Sequence, residues 1–174
     1  MNILIWIFVA AIIFAALIAL IGMTKPRIVH VSRSATMNAT PTAVYTQVTD
    51  LKKFAKWSPW ADKDPDMEQS FNGKTELGAE MEWNGNKQVG AGKMTIVEAD
   101  KPNSVNLALE FVGMGTATAY WTIAKKGKGT EATWSVDADM GNNPLARLMG
   151  KKIGQMIGDD YEKGLANLKA IVEK

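Results

Sequence analysis

The sequence predicts an α+β protein in which a curved antiparallel sheet wraps around a long C-terminal helix, preceded by one transmembrane helix. Three observations carry that expectation. The chain opens on an uncharged apolar run, continues through a series of segments with the two-residue period of strands, and closes on an apolar stripe of three-to-four-residue period.

The opening run, residues 3–23, contains no charged side chain and one Trp near its outer end. Roughly 20 apolar residues, each rising about 1.5 Å in a helix, are needed to cross hydrocarbon. A cleaved secretory signal would carry a basic start, a shorter apolar core and a small-x-small cleavage site. Here no Lys or Arg precedes the run, and Leu20 and Ile21 stand where small residues belong. The expectation is a retained anchor over 1–24 and one domain over 25–174. About 150 residues suffice for a single core but hardly for two. Lys25, Arg27 and Arg33 follow the span, so the positive-inside tendency favours a cytoplasmic domain, with a periplasmic one as the alternative, since a cysteine-free chain suits both compartments equally.

Val29, Val31, Ala35 and Met37 alternate with Ser32, Ser34, Thr36 and Asn38, which predicts a strand over Ile28 to Asn38 whose apolar face Arg33 interrupts. Thr40 before Pro41 is a helix start, with Val44, Tyr45 and Val48 as the apolar side. A second helical turn through Leu51 and Phe54 ends at Trp57-Ser58-Pro59-Trp60. Strands are then expected at 67–71, 79–83, 90–98, 104–112, 116–124 and 130–140, with a hairpin turn at Lys125 to Gly129. After Asn142, Asn143 and Pro144 the period changes. Leu145, Leu148, Met149, Ile153, Met156, Ile157, Tyr161, Leu165, Leu168 and Val172 predict a long helix with its stripe against the sheet.

This order of motifs resembles the START-like, or SRPBCC, superfamily with its helix-grip fold, and within it the polyketide cyclase/dehydrase branch. The residues that carry the resemblance are Ser34, Asn38-Ala39, Pro41, Val44-Tyr45, Asp50 and Trp57-Ser58-Pro59-Trp60. They continue with Trp83-Asn84-Gly85-Asn86, Val89-Gly90-Ala91-Gly92, Thr133-Trp134 and the stretch Gly158 to Leu168. The resemblance covers nearly all of residues 28–172, and the N-terminal span is an addition to it. It implies a cavity between sheet and long helix for a lipid, sterol, polyketide or other apolar molecule. It carries over no universal catalytic motif, and a fold alone does not name a function.

Ten Met and six Trp make an adaptable apolar lining. From the strands, Met81, Trp83, Met94, Leu107, Leu109, Phe111, Trp121, Trp134 and Met140 are candidates for the cavity wall, and from the last helix Met149 and Met156. Filling of an ordinary core is the commoner fate of each taken singly. By the resemblance, Trp57 and Trp60 sit at one mouth, where they either gate the cavity or plug the sheet edge. Gly150, Gly154 and Gly158 recur at every fourth helical position and imply a close approach by a ligand, a partner helix or the sheet. In the anchor, Ala11, Ala15 and Ala19 share one face, as in helices that meet a membrane-protein partner. Arg147, Lys151 and Lys152 could touch anionic headgroups, although a solvated face is the commoner outcome.

The chain is cysteine-free and carries a formal charge of +2, which excludes disulfides and thiolate ligands and is too weak for a nucleic-acid surface. Its one histidine, His30, falls on the polar side of the first strand. Glu80, Glu82, Asp137 and Asp139 alternate with apolar residues and point outward; Glu98 and Glu110 are less fixed, and Glu98 lies on the Met94 and Ile96 side. Gly90-Ala91-Gly92 lacks the third glycine of a dinucleotide loop. No catalytic, metal or cofactor residues are therefore assigned. The expected function is a membrane-tethered module binding a hydrophobic small molecule or lipid. The alternatives are a single-span accessory subunit of a membrane complex and a cyclase/dehydratase-type enzyme.

Overall fold

The computed structural model describes residues 3–113 and 115–174; Met1 and Asn2, which the anchor expectation includes, lie outside them. Helix α1 (Ile3–Met23) is apolar and unburied along nearly all its length, and is long enough to cross a membrane. Strand β1 (Ile28–Met37) follows, then three short helices, α2 (Pro41–Thr49), α3 (Leu51–Trp57) and α4 (Pro59–Lys63). Six strands come next: β2 (Glu68–Phe71), β3 (Glu80–Asn84), β4 (Ala91–Asp100), β5 (Ser104–Phe111), β6 (Gly115–Lys126) and β7 (Gly129–Asp139). Helix α5 (Pro144–Val172) ends the chain.

Each helix after β1 begins where a short polar side chain caps free backbone N–H groups, as the helical start requires. Thr40 accepts from the Ala43 N–H, Asp50 from Lys52 and Lys53, Ser58 from Trp60, and Asn143 from Leu145 and Ala146. Proline stands at the first helical position of α2, α4 and α5, where its missing N–H costs nothing. The Trp57-Ser58-Pro59-Trp60 stretch therefore does more than end a helix: Ser58 closes α3 and starts α4.

The seven strands form one antiparallel sheet in the order β1-β7-β6-β5-β4-β3-β2, so the hairpin meander closes back on β1 through β7. Register assigns the two faces. Val31, Val136, Ala119, Leu107 and Ile96 fall in one buried row, and Trp134, Trp121 and Val105 in the next. The opposite face is polar: Ser32 pairs with Ser135 and Ser34 with Thr133, hydroxyl to hydroxyl at 2.8 Å.

Helix α5 lies closest to β1. Its Gly150 and Gly154 sit over Val29, where an added Cβ would come within 2.9 and 3.0 Å of the valine methyls. The close approach that the glycine spacing implied is thus made by the sheet itself. Tyr161, Leu165 and Leu168 continue that face and are buried, whereas Met149 and Met156 lie on a different side of the helix, 48% and 57% exposed. The predicted stripe was drawn too wide: the glycines, rather than the methionines, define the sheet-facing side in the first half of α5, and these two side chains are turned to the surface.

Candidate functional site

Most of the tryptophans expected around a cavity instead form a solid aromatic core. Trp134 stacks on Tyr161 at 3.9 Å and on Trp121 at 4.6 Å between ring centroids, while Phe54, Trp57 and Trp60 meet it edge-on. Trp57, Trp121 and Trp134 are at most 2% exposed, and the Trp57 indole N–H donates to the Gln47 carbonyl. Trp60 is half-buried at the rim of this cluster, against Tyr161. Burial pushes the Tyr161 hydroxyl pKa well above its ordinary value. Of the two candidates for a mouth, Trp57 is core and Trp60 alone reaches the surface.

The remaining predicted lining gathers at one end of the sheet. Met81, Met94 and Leu109 share a row with Ala117, Ala138 and Val29, and Trp83 and Phe111 stand one row further out, edge to face at 5.7 Å. Burial falls along the strands toward this end. On β5, Val105 and Leu107 are buried while Leu109 and Phe111 are half-buried; on β6, Trp121 and Ala119 are buried while Ala117 is half-buried. Gly92 leaves room for the Trp83 ring, which would lie 2.5 Å from a Cβ placed there. The sheet end that opens in this way is also the end that carries α1. Arg27, just past α1, binds both carboxylate oxygens of Asp139 at 2.7 and 2.6 Å, and the Met140 N–H donates to the Arg27 carbonyl.

Titratable groups stand outside this apolar region. His30 pairs with Asp137 at 2.6 Å on the polar face, and Glu80 pairs with Lys93 at 2.9 Å. A β-bulge between Ile96 and Glu98 inverts the alternation. Glu98 therefore turns outward to accept from the Asn106 amide at 2.6 Å, leaving the side shared by Met94 and Ile96. Glu110 is exposed, across the sheet from Lys93. Arg33 does lie on the inner face, and its guanidinium fits where Gly158 has no side chain, paired with Glu162 at 2.5 Å. Among the described residues, no group of three or more His, Asp or Glu side chains is placed to hold a metal ion.

Sequence reasoning had no means of finding a groove of about 590 Å³ at the β2–β5 end of the sheet, lined by polar residues such as Glu68, Glu82, Lys93 and Glu110 together with Trp83 and Phe111. It is assembled from β2, β3, β4 and the end of β5, whose side-by-side placement residue order does not display. The Trp83-Asn84-Gly85-Asn86 stretch has a local explanation. The Asn86 N–H donates to Asp64 and its amide to the Lys63 carbonyl, which ties the β3–β4 connection to α4.

Comparison with known proteins bears on this geometry. No curated protein matches the chain. Solved structures share its fold at low identity. Protein CV1439 from Chromobacterium violaceum is 17% identical with a TM-score of 0.61, over 84% of this chain and 98% of that one. The KanY protein is 18% identical with a TM-score of 0.64 over the same shares. DynU16, a protein in the dynemicin biosynthetic locus, is 17% identical with a TM-score of 0.58, over 84% of this chain and 48% of that one. The profile of the family described as "Polyketide cyclase / dehydrase and lipid transport" matches residues 29–173, all of the sheet but Ile28 and all the helices that follow α1, and the chain belongs to that family.

Proposed function

We propose that this protein is a membrane-tethered binding module. It holds an apolar small molecule or lipid against Met81, Trp83, Met94, Leu109 and Phe111, on the inner face of the sheet at the end nearest α1. The observation that carries this reading is the loss of burial along β5 and β6 toward that end, where Leu109, Phe111 and Ala117 stand half-covered next to the buried Met81, Trp83 and Met94. Apolar groups converging in a concave site are what such ligands need. The description of the family supports it by joining lipid transport to cyclase chemistry. A lipid is favoured over a diffusible metabolite because α1, as a bilayer span, would hold the opening next to a lipid reservoir at high effective concentration. Lys25 and Arg27 after the span favour a cytoplasmic domain.

The test is native mass spectrometry with solvent extraction on the full chain after exchange into lipid-free detergent. One apolar molecule per wild-type chain is expected, with occupancy reduced at least about tenfold in Leu109→Trp, whose larger ring fills the opening. Equal occupancy in both proteins would move the site elsewhere. An empty wild-type chain that migrates with larger membrane proteins would favour the accessory-subunit reading, with Ala11, Ala15 and Ala19 as the contact.

A further inference from the structure

We infer that the first turns of α5 are a second membrane contact, inserted in the lipid interface beside α1. The structure sets these turns at the level of the end of the anchor. Gly22 is buried against Pro144, with no room between them for a side chain, and Arg147 reaches the Met23 carbonyl at 3.5 Å. Ile18 and Ala19 are also partly covered, unlike the rest of α1.

At that level α5 turns apolar side chains outward. Leu145 and Met149 lie four residues apart on one side of the helix, 59% and 48% exposed, and the sheet-facing side is already taken by Gly150 and Gly154. In water they would form an unpartnered apolar patch; beside the last turns of a bilayer span they meet acyl chains. Lys151 and Lys152 follow at the next turn, both exposed, and neither is in an ion pair among the described residues. A short apolar segment followed along the helix by free cations is the order of hydrocarbon edge and anionic headgroup. Arg147 does not belong to this set, because Gly141, Asn142 and Met23 occupy its guanidinium.

The inference rests on α1 spanning a bilayer, and one experiment separates the two. The natural chain has no cysteine. Single-cysteine variants of the full chain, Ile7→Cys, Leu145→Cys, Met149→Cys and Lys128→Cys, are labelled with an environment-sensitive fluorophore. They are reconstituted in phosphatidylcholine vesicles containing phosphatidylglycerol and a spin-labelled quencher lipid, after circular dichroism has verified the fold. Quenching at Leu145 and Met149 at least about twofold above Lys128, in the distant β6–β7 turn, is expected. Quenching at Ile7 with none above Lys128 at Leu145 and Met149 would overturn the second contact and leave the anchor standing. No quenching at Ile7 would overturn the anchor and the inference with it. Lys151→Glu with Lys152→Glu should lower the Met149 signal with phosphatidylglycerol present and leave it unchanged in phosphatidylcholine alone; equal signals in both would remove the headgroup contact.

Discussion

Asp139 and Arg27 clamp the start of β1 to the end of β7 immediately after α1. Two hydrogen-bond arms from Arg27 and the Gly141 N–H hold the Asp139 carboxyl at about 2, below its ordinary 3.8. Because the folded value lies below the unfolded one, the contribution of the pair is whole above about pH 4 and is lost as pH falls through about 2. Asp139→Asn should therefore melt below wild type at neutral pH, by the small amount usual for an exposed pair, with the gap closing between pH 4 and 2. A gap that persists at pH 2 would mean that Asp139 acts through packing. Other residues show why single positions resist reading from sequence. Arg33 looks like a fault in an apolar face until Gly158 and Glu162, more than a hundred positions away in the chain, are brought against it. Glu98 looks inward until a one-residue bulge turns it out.

At the scale of elements, α5 does two jobs with two kinds of surface. Its first half docks by lacking side chains, and its second half by burying Tyr161, Leu165 and Leu168 among the aromatic core. The glycines are consequently not equivalent. A Cβ at Gly164 would come within 2.8 Å of the Trp134 ring and 3.1 Å of Pro59, neither of which can yield. A Cβ at Gly158 would meet only the tip of Arg33, a flexible side chain. Alanine gains about 1 kcal/mol in helix propensity at either position, against overpacking of about 1–3 kcal/mol where neighbours are rigid. Chemical denaturation should show Gly164→Ala less stable than wild type by up to about 2 kcal/mol and Gly158→Ala within about 1 kcal/mol of it. The reverse order would indicate that the Arg33–Glu162 pair matters more to α5 docking than the Trp134 contact.

For the whole molecule, α1 and the half-covered ends of β5 and β6 lie toward the same end of the strands, the placement on which the proposed tethered binding module rests. If α1 spans the bilayer, the full chain should stay in the pellet after alkaline extraction of membranes, and a chain beginning at Lys25 should be released. Retention of the shortened chain in the pellet would identify α5 as the principal membrane contact.

The residues by themselves determined what depends on near neighbours. The two-residue and three-to-four-residue periods gave the strands and α5, Thr40-Pro41 and Asn143-Pro144 marked two helix starts, and the uncharged run gave α1, because periodicity, capping and hydropathy act within a few positions. The choice between a filled and an open interior was different. Trp134 and Leu109 sit on equally apolar strand faces, yet the short helices and Tyr161 pack onto the first and leave the second half-covered. Burial depends on which distant segments arrive at a surface, so only the tertiary structure could leave Leu109 half-covered, turn Leu145 and Met149 outward, and bring the start of α5 against the end of α1.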